Sequence, residues 1–503
     1  MSQPFRIPVA GSINNRVAAT NILNAASGYV GMGIVGVMVV GKTTDASAKD
    51  QRFINCFSET VVDAVTGQSS VYMVKRPGFS ASITSGSAAI GNAILIWTGY
   101  STGDSVISAF GATNSTIYNT TTSLGTITGK ATGISETFVS STPTLTITST
   151  DNTAWYYDVP TGTVTKIADA DFPGNAGRTL AGTFAHMDGY AVIMDTTGTL
   201  WASDLNSVTS WTATSFGSAN SYPDLGVGCV RHRNLIMAFG TESVEFFQNA
   251  GLTPFPFSKV PSMTQRVGAV SADAIAQIAD TTFWCGSSPQ GGLSIFQYDG
   301  GIGRISTPEI DAILILAGAS NITLTTIRFY GRSFVIVKAL TTAMVFCVED
   351  KMWHEWSSST APWYKCVGVS KGGTMVNYCI SNSLTTGIVY SMNPSALSFK
   401  DAGTTFTALM QLDSMDLGTS NRKTWEELRI IGDKQSTTSN IELSYSDDDY
   451  QTYTVWGNLD MSTNMPRAQR LGSSRRRAWV LNHSDDTPMR IRALEGKATV
   501  GTS

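Results

Sequence analysis

Charge is scarce in this sequence. Asp, Glu, Lys and Arg together make up 14% of its 503 residues, against about a quarter in an average globular domain. That shortage argues against a helical protein, whose exposed faces need charged side chains. The formal net charge of −4 excludes a free-standing nucleic-acid binder and leaves only local attraction to phosphate. Histidine is scarcer still: His186, His232, His354 and His483 lie far apart, without metal-ligand spacing. The HEW at His354 lacks the second histidine of a zinc protease. No arrangement of Ser, His, Asp or Cys suggests a nucleophile with its base.

Cysteine is sparse and scattered, at Cys56, Cys229, Cys285, Cys347, Cys366 and Cys379, with no C-x-x-C pair. Most sit among apolar residues, as in VFCVE and TFWCGS, and read as reduced, buried thiols of a protein made in a cytosol. Five of the six fall between residues 229 and 379, so disulfides among them stay open. The first twenty residues lack a basic start followed by an apolar run, so no secretory signal is expected. The one long uncharged run, Ala25 to Gly41, holds five glycines and is at the lower limit for a membrane span. A Gly-rich strand or loop is the expected reading, with a membrane-active segment as the alternative.

That run overlaps GVMVVGKT, Gly36 to Thr43, which fits the phosphate-loop pattern G-x-x-x-x-G-K-[ST]. A working phosphate loop is a tight small-residue turn opening a helix, whose backbone N–H groups cradle the anion. Here the middle positions are Val37, Met38, Val39 and Val40, which favour extended backbone. TDASAKDQRF follows without the apolar spacing of a buried helix. The string reads as a strand ending in a Gly-Lys turn.

What the sequence has in abundance is Ser, Thr and Gly, including 47 glycines. That mixture suits many short strands joined by polar turns. A chain this long can bury a large core and is expected to hold two or three domains. Its middle repeats one theme, a strand, a turn and a short aromatic strand. The anchors are Tyr118, Tyr156, Trp201, Phe246, Phe296, Phe346 and Tyr390, spaced roughly 40–50 residues apart, the period of a β-propeller blade. Apolar strands such as NAILIWTGY, GYAVIMD, RNLIMAFG, DTTFWCGS and RSFVIVKA lie upstream of most anchors. Each blade packs its apolar face on its neighbours, with recurring aromatics as filler. The expected fold is all-β, a propeller of six or seven blades with additional N- and C-terminal β-domains. The expected boundaries are 1–90, 91–401 and 402–503. A pair of β-sandwiches is the alternative.

Outside the repeats, QRFINCFSET and SSVYMVKRPGFS read as strands, as do FTALMQLDSMDL and NIELSYSDDD, with a possible short helix near Trp425. Head and tail are expected to pack together, since the two ends of a closed propeller lie close to each other. DGGIGRIST, Asp299 to Thr307, reads as a turn within a blade rather than a dinucleotide loop. SYSDDDYQTYTVW, Ser444 to Trp456, looks like a worn Asp-box, S-x-D-x-G-x-T-W, with Asp449-Tyr450 where Gly is expected. That box is a structural hairpin turn, and a calcium reading of Asp447 to Asp449 fits no known loop spacing. The strongest local charge is basic: Arg467, Arg470, Arg475, Arg476 and Arg477, followed by Arg490 and Arg492. Guanidinium groups suit phosphate or carboxylate. The alternatives are pairing with acidic loops such as Asp447 to Asp449 or an ordinary subunit contact.

Three blocks, in order, resemble a known family. QRFINCFSETV with VKRPGFS, the region from LGVGCVRHRNLIMAFG through GGLSIFQYDGGIGRISTPEIDAIL, and SYSDDDYQTYTVW with RLGSSRRRAWVLNHSDDTPMRIRALEGKA are similar to the packaged-DNA stabilisation proteins of short-tailed bacteriophages. The Gly-rich insertion at Ala25 to Gly41 departs from the family pattern. The resemblance implies a structural virion protein, a tail hub or nozzle, made in the host bacterial cytoplasm. Several copies, six in the family, would ring the DNA exit channel below the head-to-tail adaptor and close the filled capsid. A needle or plug and tailspikes or fibres would attach nearby, and genomic DNA would pass without sequence-specific contact. It implies no catalytic residue, cofactor or metal. Arg467, Arg470, Arg475, Arg476 and Arg477 are then expected at subunit or adaptor contacts, some facing DNA. The rival readings are a sialidase-like propeller glycosidase, which needs paired carboxylates or a Tyr nucleophile, and a receptor-binding adhesin for host glycans.

Overall fold

Alternating apolar and polar residues cut short by Gly, Asp and Asn leave this chain to satisfy its backbone by pairing short strands. The computed structural model describes residues 2–8, 30–31, 52–62, 69–86, 88–99, 104–139, 142–288, 291–339, 342–371, 373–393 and 397–502. The chain divides into two compact units. One comprises Phe79–Ala343 and Thr360–Ala396; the other comprises Met1–Gly78, Met344–Ser359 and Leu397–Ser503. The phosphate-loop look-alike and the Gly-rich run lie outside the described residues. The exception is Val30–Gly31, whose backbone pairs in parallel with Phe5 and Arg6.

The first unit is the propeller. Its inner strands are Gly91–Trp97, Ala131–Val139, Leu180–Met187, Gly226–His232, Ile275–Ile278, Thr323–Phe329 and Lys365–Lys371. They follow one another around a ring, the seventh lying against the first. These seven inner strands settle the blade number left open by the repeat spacing. The first five blades are four-stranded antiparallel meanders. The sixth repeat supplies the hairpin Thr323–Phe329 with Arg332–Ala339. The seventh takes its outermost strand from the start of the unit: Ser80–Thr84 pairs with Ile388–Met392, Tyr390 opposite Ala81. An early strand thus locks the last blade and closes the ring.

The aromatic anchors all fall on the third strand of their repeat, as in Ser115–Asn119, Ala154–Asp158 and Thr199–Ser203. Between blades the packing is apolar and aromatic. Trp97, Ile107 and Ile117 of the first blade meet Leu145, Ile147 and Val164 of the second. Trp97 sits edge-on to Tyr157, ring centroids 5.0 Å apart. Phe239 and Phe246 of the fourth meet Trp284 and Phe296 of the fifth. Burial of a large apolar side chain contributes about 1.5–3 kcal/mol, so every blade depends on both neighbours.

Asp299–Gly301 makes the hairpin turn into Ile302–Arg304 that the sequence suggests. An α-helix, Pro308–Ala317, then follows within this β-unit. Its signals are present: Pro at the first turn, Glu309 and Asp311 at the positive end, and Ile310, Leu314 and Ala317 on one buried stripe. Two expectations are corrected. Cys366 and Cys379 form a disulfide, because the hairpin register sets them directly opposite; the other four cysteines are buried. Trp425 is not helical. It lies in the strand Lys423–Gly432, whose apolar Trp425, Leu428 and Ile430 are buried across a register shift after Trp425.

The second unit is built mainly from two large sheets. In one, Arg490–Val500 lies between Ser2–Pro8 and Lys423–Gly432, Ser2 opposite Thr499 and Pro8 opposite Ala493. Chain head and chain tail therefore share a sheet. In the other, Arg52–Ile54, Ala408–Gln411, Ala478–His483, Asn440–Ser446 and Thr454–Asp460 follow in that order. Trp425 of one sheet meets Trp479 of the other edge-on at 5.7 Å.

This core also holds two adjacent cations, Lys75 and Arg76, both almost without solvent contact. Arg76 makes a forked pair with Asp401, at 3.0 and 2.5 Å, and donates to Asn55 Oδ1 at 2.9 Å. Its guanidinium lies 3.9 Å from the Phe406 ring centre. Lys75 donates to the Asp485 carbonyl at 2.7 Å and lies 3.2 Å from His483 Nδ1. Burial lowers the Lys75 ammonium to about 8 and the His483 imidazole to about 4, with the Lys75 charge adding to the histidine's shift. Gly78 follows, where a Cβ would stand 2.1 Å from the Lys400 carbonyl oxygen.

His483 sets an acid limit. Its folded value lies below the unfolded 6.5, so the unfolded chain takes up the proton first. Stability is full above about pH 6.5 and falls as pH drops through 4, by about 3 kcal/mol for this group. Thermal melts at pH 7, 6, 5 and 4 should show that fall. His483→Gln should lower the pH 7 melting temperature but flatten the slope; an unchanged slope would refute the assignment.

Candidate functional site

The worn Asp-box is a true turn of that type. Ser446 Oγ donates to Asp448 Oδ1 at 2.8 Å, and Asp448 accepts from the Gln451 and Thr452 N–H groups at 3.1 and 2.9 Å. Hydrogen bonds from the Thr452 hydroxyl, then its N–H, and Ser446 hold the Asp448 carboxyl down at about 2. Asp449 and Tyr450 adopt left-handed φ angles of 55° and 68°, taking the place of glycine. That conformation leaves Asp447 and Asp449 on either side of the turn, available to arginines.

Arg477 takes Asp447. Two parallel bonds, both 2.7 Å, join the guanidinium to the carboxylate, and a third goes to the Leu471 carbonyl. Its flat face lies 3.8 Å from the Tyr445 ring centre, with Trp425 and Trp479 at 5.6 and 5.3 Å. At 1% exposure, Arg477 is an internal prop between the two sheets, with all three guanidinium nitrogens hydrogen-bonded. Arg490 is also held inside the unit, by Glu59 at 2.7 Å, Asp433 at 3.0 Å and the Tyr72 ring at 3.8 Å.

The other arginines face outward. Arg476 reaches Asp449 at 3.3 Å, both exposed, and Arg475 donates to the Ser420 carbonyl at 2.8 Å. Such exposed pairs contribute at most about 1 kcal/mol and exchange readily for a partner. Arg467 lies opposite Arg429 in register. The Arg429 hydrogen bond, helped by Arg467, holds the neighbouring Glu427 carboxyl below its ordinary range. Arg470 hydrogen-bonds through its backbone to Glu426. Among the described residues, the side chains of Arg467, Arg470 and Arg492 make no hydrogen bond or ion pair with an assigned partner.

These arginines border a feature the sequence reading missed. Thr454–Asp460 is an edge strand of its sheet, and it exposes Val455 (59%) and Trp456 (36%). Tyr453, just before the strand, and Met465, in the loop after it, are exposed as well. Trp456 Nε1 donates to the Gln469 carbonyl at 3.0 Å, which lays the indole across the segment carrying Arg467 and Arg470. Tyr, Trp and Arg at the margin of an open strand are the residue types that concentrate binding energy at protein interfaces. The signal lay in YTVW, where four consecutive residues cannot all be buried by a two-faced strand. No group of three metal-ligating side chains occurs among the described residues.

Replacing buried Arg477 with Ala empties the space among the Tyr445, Trp425 and Trp479 rings and removes its bonds to the exposed Asp447, and should cost about 2–5 kcal/mol of stability. Arg470→Ala should stay within about 0.5 kcal/mol of wild type. Denaturant unfolding of the two variants tests this, and equal effects would contradict the division into internal and outward arginines.

The chain was compared with known proteins. No curated protein matches it. The crystal structure of Chaetomium thermophilum Raptor aligns with 64% of this chain at 12% identity and a TM-score of 0.39, and the chain spans 29% of that protein's length. A family model described as bacteriophage P22 Gp10, β-propeller, matches residues 59–377. That match covers more than half of the sequence and contains all seven inner strands of the ring described above. The chain therefore belongs to the bacteriophage P22 Gp10 family of structural phage stabilisation proteins.

Proposed function

We propose that the protein is the tail hub, or nozzle, of a short-tailed phage. Several copies, six in the family it resembles, ring the DNA exit channel beneath the head-to-tail adaptor and close the DNA-filled capsid. The same ring carries the needle or plug and the tailspikes or fibres. The observation that carries the assembly part is the apolar edge strand Thr454–Asp460 bordered by outward arginines. An unpaired strand edge invites a partner, and exposed Trp456 and Val455 give that partner apolar surface to bury. The free guanidinium groups of Arg467 and Arg470, with Arg475 and Arg476 loosely held, supply charge for carboxylates of a neighbouring subunit or phosphates of passing DNA.

The mechanism is mechanical and electrostatic. A ring of seven blades, each wedged by aromatic side chains between two others, resists deformation because no blade can move without opening an apolar face. The glycosidase reading asks for catalytic groups in a propeller mouth and needs no oligomer. Negative-stain images separate the two, since a nozzle forms rings, alone or on its adaptor.

The direct test is a phage carrying Ala at Arg467, Arg470, Arg475 and Arg476 together. Arg477 stays unchanged, because it supports the fold. The purified variant should melt as wild type does, while its particles leak genome or lack tails. Normal infectivity and genome retention would discard this role for the arginines.

A further inference from the structure

The propeller contains a cavity that assembly does not explain. It is open to solvent, holds about 350 Å³, and is lined by Thr98, Glu136, Phe138, His186, Asp188 and Arg231 among others. These residues sit at the carboxyl ends of the inner strands of four successive blades, or in the turns that follow them. Its volume falls within the range of small-ligand sites.

The wall is rigid where it carries charge. Glu136 is clamped by the Gly99 N–H at 2.7 Å and by the Thr98 N–H and hydroxyl at 3.3 and 3.0 Å. Asp188 is held at a left-handed φ of 53°. Asn249 donates to its Oδ2 at 2.9 Å, and Oδ1 has no assigned partner. Gly189 completes that turn at φ +82°, where a Cβ would stand 2.6 Å from Asn206 Oδ1. Arg231 is positioned by the Arg233 carbonyl, 2.8 Å from Nε, which leaves Nη2 without an assigned partner. His186 lies 2.8 Å from the Thr146 hydroxyl through Nε2, while its buried Nδ1 has no partner among the described residues. Burial lowers this imidazole to about 4, so at neutral pH it adds no charge to the wall. Beside these groups Phe138 exposes 53% of its surface, its ring near Gly99.

We propose that this cavity binds a neutral saccharide unit. A sugar ring carries hydroxyls that both donate and accept around its rim, and C–H faces above and below. Its recognition asks for an acceptor, a donor and an aromatic plate converging on one small space. Asp188 supplies the acceptor and Arg231 the donor. Phe138 is the plate. A phosphate or sulfate is disfavoured, because Glu136 and Asp188 place two carboxylates against one guanidinium. The inference uses the propeller alone and stands apart from the tail-hub reading.

Saturation-transfer NMR on the full purified chain tests it, with glucose, galactose, mannose and N-acetylglucosamine as probes and methyl phosphate and choline as controls. The expected result is transfer to at least one hexose. Affinity should then weaken about tenfold or more, roughly 1.4 kcal/mol, in both Phe138→Ala and Arg231→Gln, with melting temperatures unchanged. No transfer to any hexose would overturn the proposal. So would transfer that survives both substitutions, or binding of methyl phosphate or choline in place of the sugars.

Discussion

Two neighbouring cations buried in one core are a severe constraint, and the β-unit outside the propeller is arranged around it. An unpaired charge in a protein interior costs several kcal/mol, and Lys75 and Arg76 are consecutive, so their side chains leave the strand end in different directions. Arg76 finds Asp401, Asn55 and an aromatic wall of Phe406 and Trp356. Lys75 finds the Asp485 carbonyl, His483 and the rings of Phe399 and Phe406. Apart from Asn55 and Trp356, these partners come from residues more than three hundred positions away in the chain. The unit is therefore specified by a polar network that only the complete assembly of distant segments can satisfy, which ties its head and tail into one fold.

Arg477 repeats the device at the other sheet contact, with Asp447 as its anion and three aromatic rings around it. The propeller uses the opposite principle. Its joints are apolar, its closure is a single strand borrowed from the start of the unit, and its period is uniform enough to be seen in the order of aromatic residues. One unit is held by unique polar fits and the other by a repeated apolar one.

That difference explains what was legible in the sequence. The repeat was visible because Tyr118, Tyr156, Trp201 and their successors each mark a third strand, and a period of aromatics survives without knowledge of contacts. The hinge of the Asp-box was visible because its bonds are local. Arg477 was singled out as one of a basic cluster, yet nothing in RRR distinguishes the internal arginine from its outward neighbours; burial depends on strand register and on Asp447, thirty residues earlier. Lys75 and Arg76 were seen only as part of a family-like string, and Asp401 was not singled out at all, since long-range pairing leaves no periodic trace. The disulfide could have been found: a hairpin turning at KGGT sets Cys366 against Cys379. The helix at Pro308–Ala317 was missed because an all-β expectation outweighed its Pro, its acidic first turn and its apolar stripe.

Family membership and the geometry of the C-terminal sheets converge on a protein whose work is holding position. The central claim is that its open strand edge, with the arginines beside it, is covered when the phage particle is built. Imaging the assembled particle at side-chain resolution tests that most directly. The account predicts rings of this chain around the DNA channel, with Thr454–Asp460, Arg467, Arg470, Arg475 and Arg476 buried against a neighbouring subunit, the adaptor or DNA. A ring in which that strand and those arginines face solvent, or a particle in which the chain forms no ring, would contradict it.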